Sequence, residues 1–191
     1  ALDKYKKNNN TQNPPQEIVN QLVNLYNQGQ TAAVIRQAEH FTKEYPNAFI
    51  VWNILGASRA QIGILDEAIE AYNTSISLRP DFADPYYNMG NALKDQGKLN
   101  QAIASYKKAL VLKPNNFKIY GNIGLVFQNQ GKPDKAIEAY KKAISINPDY
   151  SEAYTNLGIT FQYQGKLDEA IDAYKKSILL KPDYPETYNN L

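Results

Sequence analysis

The chain has 191 residues, of which 43% are hydrophobic, and a formal net charge of +2. This charge is too small to predict binding to nucleic acid or to an anionic membrane surface. Because the chain contains no cysteine, it can form no disulfide, no thiol nucleophile and no cysteine-ligated metal site. No apolar run approaches the length of a transmembrane helix, so we expect no membrane insertion.

The N-terminal part of the chain changes character after its first fifteen residues. Residues 1–15 are polar and rich in asparagine, and this composition predicts a flexible N-terminal arm. Residues 16–48 carry two stretches of apolar residues at helical spacing. Gly29 follows the first stretch and Pro46 follows the second, so a pair of helices is predicted here.

From Phe49 onward the sequence repeats every 34 residues. Proline marks this period five times, at Pro46, Pro80, Pro114, Pro148 and Pro182. Residues 49–184 contain four complete units, in which position 1 is Phe49, Ala83, Phe117 and Ser151. A strict period of this length predicts stacked supersecondary units with a functional surface, in place of one globular core and a buried active site.

Several positions are invariant among the complete units, among them glycine at 8 and 15, alanine at 20 and tyrosine at 24. Small residues at 8 and 20 let two helices approach closely, and we expect the tyrosine to fill the gap between neighbouring units. Glycine at 15 is predicted to end a first helix, helix A, with positive φ. Asp or Asn at 18 is predicted to cap a second helix, helix B, which ends shortly before the proline at 32.

This pattern resembles the tetratricopeptide repeat (TPR), which has large residues at positions 4 and 7, glycine at 8, alanine at 20 and proline at 32. The resemblance covers residues 49–184. It implies an all-α, right-handed superhelical solenoid of antiparallel helix pairs that acts as a non-catalytic scaffold for proteins or peptides. Residues 16–48 keep Gly29 and Pro46 but have Leu22 where glycine is expected, so they are predicted to be a degenerate N-terminal capping unit.

The C-terminal residues 185–191 begin a further unit that stops before its second helix. We therefore expect the chain to be a fragment of a longer protein, or to associate with itself through this uncapped end. Two alternative functions remain open beside the peptide-binding scaffold. One is a self-assembling structural TPR module, and the other is the TPR arm of a larger glycosyltransferase- or sulfotransferase-type enzyme.

Residues that would carry chemistry are scarce. The only histidine, His40, lies four residues before Glu44 and is predicted to be an ordinary residue of a helix surface. No cluster has metal-ligand spacing, and no nucleophile and base are paired. We therefore expect no enzyme activity and no catalytic, metal or cofactor site. With no signal-peptide pattern in the sequence, a cytoplasmic location is expected.

Lysine pairs recur at positions 25 and 26 of helix B: Lys107–Lys108, Lys141–Lys142 and Lys175–Lys176. Such a ridge would suit acidic partners, and the alternative interpretation is a solvated face. Because no aromatic residues alternate with the lysines to stack on bases, no nucleic-acid partner is expected.

In the TPR family, helix A lines the concave groove of the solenoid. Position 6 of this helix is asparagine in three complete units and in the incomplete one: Asn88, Asn122, Asn156 and Asn190. An amide side chain carries donor and acceptor together, so it bonds both sides of one peptide unit. The arrangement resembles the asparagine ladder in the TPR arm of O-linked N-acetylglucosamine transferases. That resemblance implies binding of an extended peptide by its backbone, and the alternative is that these amides bind neighbouring helix backbone or water.

Carboxylate-clamp TPR co-chaperones are the other relatives considered. Their clamp needs lysine or arginine at positions 2, 5 and 6 beside asparagines, and only Lys94 and Lys118 match in part. The rest of the groove is mixed and suits a moderately polar, extended peptide. Candidate anchors are two aromatic residues and one aliphatic residue, because large rigid side chains tend to carry binding energy: Tyr87, Leu125 and Tyr163. Further groove candidates are Asn53, Asn91, Asn129 and Ile159.

Overall fold

A computed structural model of the chain describes residues 14–182. Most of the predicted N-terminal arm, and residues 183–191 with the incomplete further repeat, lie outside the described residues. Within residues 14–182 the chain is all-α, as predicted, with ten helices and no strand. The helices are α1 Gln16–Asn27, α2 Thr31–Glu44, α3 Phe49–Gln61, α4 Leu65–Leu78, α5 Ala83–Asp95, α6 Leu99–Leu112, α7 Phe117–Asn129, α8 Pro133–Ile146, α9 Ser151–Tyr163 and α10 Leu167–Leu180.

The chain divides into two compact units after Lys98. Unit 1 contains α1 to α5 and unit 2 contains α6 to α10. Within each unit every helix packs against the next one along the chain. First helices of adjacent repeats also meet, α1 with α3 and α3 with α5 in unit 1, and α7 with α9 in unit 2. Each unit is therefore a stack of helix pairs.

The helix ends follow from the repeated glycine and proline. All five glycines at position 15 or its equivalent have positive φ, between 67° and 80°, as predicted: Gly29, Gly63, Gly97, Gly131 and Gly165. Each helix B ends two residues before its proline, for example α4 at Leu78 before Pro80. Proline disfavours helical backbone in the residue before it, so the predicted stop is confirmed.

The predicted N-caps of helix B are wrong. Asp66, Asn100, Asp134 and Asp168 are each the second residue of their helix. The reason lies in the preceding turn, where the N–H of Gly63 bonds the carbonyl of Ala60 and the N–H of Ile64 bonds that of Arg59, both at 3.0 Å. These two bonds close α3, so Ile64 already precedes the first residue of α4 and the helix begins earlier than predicted.

The position-18 side chains instead accept hydrogen bonds from the next repeat. The amide Nε2 of the glutamine at position 14 donates to them across thirty residues of sequence. The three bonds are Gln96 to Asp66 at 2.8 Å, Gln130 to Asn100 at 3.0 Å and Gln164 to Asp134 at 2.8 Å. The sequence analysis did not find this link, although glutamine at 14 recurs in three repeats.

The repeated tyrosine packs on the repeated glycine of its own repeat. Tyr72, Tyr140 and Tyr174 are at most 1% exposed. A Cβ added at Gly56 would lie 2.6 Å from Cε1 of Tyr72, so only glycine fits beneath the ring. The rings also reach the next repeat, since Tyr72 clusters with Ala92 and Tyr140 with Leu157. The predicted close approach and gap filling are both confirmed.

The degenerate helices pack on the first complete repeat of unit 1. Leu22 of α1 and Val34 of α2 are fully buried in one cluster with Val51 of α3. Arg59 of α3 adds a polar link, because its guanidinium bonds Glu39 of α2 at 2.8 Å and Glu67 of α4 at 3.2 Å. Three consecutive helices therefore converge on one half-buried side chain.

Substitution of the central glycine tests this packing. Gly124→Ala should lower the free energy of unfolding by about 1–3 kcal/mol, because its Cβ would overlap the ring carbons of Tyr140. Tyr140→Ala should cost roughly 3–5 kcal/mol by itself. In that background Gly124→Ala should become neutral or stabilise by up to about 1 kcal/mol, since alanine favours helix over glycine. Urea denaturation of the four proteins measures the coupling, and an equal effect in both backgrounds would contradict the contact.

Alkaline pH should destabilise the fold through the buried tyrosines. Burial raises the pKa of Tyr72 and of Tyr140 well above the ordinary value of about 10. The unfolded chain therefore loses these protons first as the pH rises, and stability is lost above about pH 10. Replacing Tyr140 by Phe should reduce this loss by about 1 kcal/mol between roughly pH 10.5 and 11.5.

At neutral pH, Tyr140→Phe should cost about 1 kcal/mol, since the Tyr140 hydroxyl donates a 2.9 Å bond to Oε1 of Gln128. Denaturation measured at each pH gives both quantities. The same alkaline slope in wild type and Tyr140→Phe would show that this tyrosine ionises equally in the folded and unfolded states.

Candidate functional site

Two predicted groove asparagines meet in unit 1. Nδ2 of Asn88, on α5, donates a 3.2 Å hydrogen bond to Oδ1 of Asn53, on α3. Asn53 is 9% exposed and Asn88 is half-buried. The bond uses one donor group and one acceptor, so Nδ2 of Asn53 and Oδ1 of Asn88 retain hydrogen-bonding capacity.

Two depressions flank this asparagine pair on the surface formed by α1, α3 and α5. The first has a volume of about 280 Å³ and is lined by Val23, Tyr26, Asn53, Ile54, Ala57 and Asn88. The second, of about 260 Å³, shares three of these residues. It adds polar side chains at one end: Gln61, Asn91 and Asp95. Each depression is smaller than a typical small-molecule pocket and is of a size for a side chain.

The other unit 1 candidates lie on α5. Tyr87 is half-buried, and Asn91 is half-buried in the wall of the second depression. Lys94 pairs with Asp95, with 3.1 Å between Nζ and Oδ1. A lysine whose charge is balanced by its neighbour is poorly suited to hold a ligand carboxylate, so this part of the clamp pattern gains no support.

The unit 2 candidates differ in exposure. Asn122, Leu125, Asn156 and Ile159 are half-buried, and Leu125 packs against the core cluster around Tyr140. The remaining three are exposed, at the beginning of α7 and at the last residues of α7 and α9: Lys118, Asn129 and Tyr163. Lys118 lines a depression made by residues 113–118. Asn122 and Asn156 occupy position 6 of α7 and α9, which pack together.

The sequence analysis missed Tyr26, although it lines both depressions. Tyr26 lies in the degenerate repeat, at the place that corresponds to position 12. Position 12 is a groove position in the complete repeats, so extending the numbering into residues 16–48 would have found it. Ala57, at position 9, was missed because alanine offers no group for recognition. Its side chain is small, which leaves room for both depressions that it lines.

The repeats match two family models. Residues 56–97 and 90–131 match the family model described as TPR repeat, and residues 117–150 and 151–184 match the one described as tetratricopeptide repeat. The chain belongs to the tetratricopeptide repeat family. TPR repeats indicate a scaffold for protein–protein interaction, so the coarse function and the class of partner, protein or peptide, follow from the family.

Solved structures show the same fold. A crystal structure of MamA is 31% identical in sequence and superposes with a TM-score of 0.76, covering 83% of this chain and 93% of its own. A crystal structure of YrrB, described as a TPR protein with an unusual peptide-binding site, is 17% identical, with a TM-score of 0.72. It covers 90% of this chain and 89% of its own. At this sequence identity the likeness supports the fold class, a TPR solenoid, and nothing about function.

A curated relative matches over a short segment. The peroxisomal targeting signal receptor of Kluyveromyces lactis is 43% identical over 44 residues, which are 23% of this chain and 8% of the receptor. The chain thus matches a small part of that relative's length.

The part of the chain that the structure describes contains neither a metal-binding cluster nor a membrane-spanning helix. No group of three or more His, Asp or Glu side chains within residues 14–182 is arranged to hold a metal ion. No helix in the same range is long and apolar enough to cross a membrane. His40 is exposed and lies 3.6 Å from a carboxylate oxygen of Glu44.

Proposed function

We propose that this TPR chain binds an extended peptide segment of a protein partner on the surface formed by α1, α3 and α5 of unit 1. One observation carries the proposal: the hydrogen-bonded pair of Asn53 and Asn88 lines one depression of side-chain size, and Asn88 also lines a second. Neither feature alone indicates a peptide, but together they supply the two elements of peptide recognition, which are backbone and side-chain contacts.

The asparagine pair complements one peptide unit. After the bond between them, Asn53 keeps an N–H donor and Asn88 keeps a carbonyl acceptor. A peptide unit presents one C=O and one N–H, so the two capacities match in number and in kind. Binding through the backbone gives affinity that does not depend on the ligand's sequence.

The depressions would select the ligand's side chains. Val23, Ile54 and Ala57 make much of the first depression apolar, which suits an aliphatic side chain. The second depression ends at Gln61, Asn91 and Asp95, which suit a polar side chain that can hydrogen-bond. We therefore expect a ligand with an aliphatic residue near a polar one.

The position-6 asparagines of unit 2 extend the proposal within that unit. Asn122 and Asn156 lie on adjacent first helices, and Ile159 and Tyr163 offer apolar contact on α9. The resemblance to the TPR arm of O-linked N-acetylglucosamine transferases rests on these asparagines and remains a hypothesis. Peptide as the ligand class is supported by the description of YrrB as a TPR protein with a peptide-binding site and by the name of the targeting signal receptor.

An immobilised library of random peptides tests the proposal. Peptides that bind the wild type should bind Asn53→Ala/Asn88→Ala about ten- to a hundredfold more weakly, since about 1 kcal/mol is expected for each lost hydrogen bond. The matched control is Asn73→Ala, an exposed asparagine on α4. Fluorescence polarisation with the selected peptides gives the affinities, and thermal unfolding shows that each variant is folded.

Backbone recognition has its own test. Each selected peptide is remade with one backbone nitrogen methylated at a time, which removes one N–H and leaves the side chains intact. One position should lose binding in the wild type and should have little effect in Asn53→Ala/Asn88→Ala. Unchanged binding by the double variant, together with tolerance of methylation at every position, would refute the proposed role of the asparagine pair.

A further inference from the structure

A cavity of about 760 Å³ lies in unit 2 among α6, α7 and α8. Its walls come from the second helices α6 and α8, and its floor comes from α7 together with Leu110 of α6 and Ala139 of α8. We call it the helix B groove. Its lining residues fall within 107–110 of α6, 120–127 of α7 and 135–145 of α8. The volume falls within the range of about 300–1,000 Å³ found for ligand pockets.

The floor of the helix B groove is apolar. Ile123 and Ala139 are each 7% exposed, while Leu110, Tyr120 and Phe127 are half-buried and keep part of their surface in the groove. Two aromatic rings and an aliphatic side chain in one concave site can bury large apolar groups of a ligand. Exposure of these apolar side chains to water is unfavourable, and a ligand that covers them would remove their surface from water.

The rim of the groove is positively charged. Four lysines and one glutamate lie around the opening, and all five side chains are exposed: Lys107, Lys135, Glu138, Lys141 and Lys142. Among the described residues, none of these lysines forms an ion pair. Lys135 instead places its ammonium 5.8 Å from the ring centroid of Phe127, at the edge of the floor.

We propose that the helix B groove binds a short acidic segment of a protein partner. The segment's aromatic and aliphatic side chains enter the apolar floor, and its carboxylates pair with the lysines of the rim. Charge complementarity selects this occupant, because a rim of four cations and one anion attracts acidic chains and repels basic ones. Apolar contact distinguishes it from a nucleic acid backbone, which would match the charge and leave the floor unfilled.

The inference is independent of the proposed function. The asparagine pair lies on first helices of unit 1, whereas the walls of the helix B groove belong to second helices of unit 2. A partner bound at one site shares no described residue with the other. The recurring lysine pairs are the sequence signal for the groove, since positions 25 and 26 supply Lys107, Lys141 and Lys142.

Designed peptides test the groove directly. The probe is a fluorescein-labelled peptide EELFEELFEE, compared with EESGEESGEE, which lacks apolar residues, and with KKLFKKLFKK, which reverses the charge. The wild type should bind the first peptide at least about tenfold more tightly than the other two, because only that peptide satisfies both rim and floor. Raising the salt concentration from about 50 to about 300 mM should weaken binding at least threefold, since the rim is exposed to solvent.

Charge reversal locates the site. Lys107→Glu/Lys142→Glu should weaken binding of EELFEELFEE at least about tenfold, because two attractive contacts become repulsive. The matched control is Lys175→Glu/Lys176→Glu, which changes the net charge equally at the same repeat positions on α10 and does not touch the groove. Less than about threefold loss is expected for the control.

Three outcomes would overturn the inference. Equal weakening by the control pair would show general attraction to a basic surface. Tighter binding of a ten-nucleotide single-stranded DNA, sensitive to the groove variant alone, would assign the groove to nucleic acid. Dimerisation of the wild type, detected by sedimentation and abolished by Lys107→Glu/Lys142→Glu, would assign it to a second copy of the chain.

Discussion

The contact between the tyrosine at position 24 and the glycine at position 8 determines how closely the two helices of a repeat pack. The glycine has no Cβ, so the ring lies against the backbone of helix A, where any larger residue would overlap it. The ring is almost completely buried. The hydroxyls of Tyr140 and Tyr174 each donate a hydrogen bond to the glutamine at position 12 of the same repeat. The same contact occurs at Gly56, Gly124 and Gly158, so the two helices of these three repeats pack at nearly the same distance.

A second set of contacts fixes how one repeat stacks on the next. Apolar contact alone is non-directional, whereas the bond from glutamine at position 14 to the acid or amide at position 18 has a required geometry. In one repeat the side-chain oxygen of this glutamine is also hydrogen-bonded, because Nζ of Lys132 donates to Oε1 of Gln130 at 2.8 Å. Stacking then brings residues of adjacent first helices together, and the pair of Asn53 and Asn88 is one result.

Alternation of the two helices gives the protein two surfaces of different chemistry. First helices carry amides, and in unit 1 Asn53 and Asn88 line one small depression, while Asn88 also lines a second. Second helices carry lysine pairs, and in unit 2 four lysines lie around an apolar floor to which α6, α7 and α8 all contribute. The two proposed sites therefore differ in chemistry: the asparagine pair would bind a peptide backbone by hydrogen bonds, and the helix B groove would bind a ligand by charge and apolar contact.

The period follows from the residues that recur every 34 positions. The C-terminal helix ends and the glycine turns also follow from the sequence, because they depend on residues within one turn of each other. Gly63 with positive φ and the helix stops before proline are of this kind. Tertiary structure alone decided that Asp66 bonds Gln96 and does not cap α4, that Tyr26 borders the asparagine pair, and that α6 and α8 leave an apolar groove between their lysines. The physical reason is that these residues lie about one repeat apart in sequence, so their distance depends on how the repeats stack.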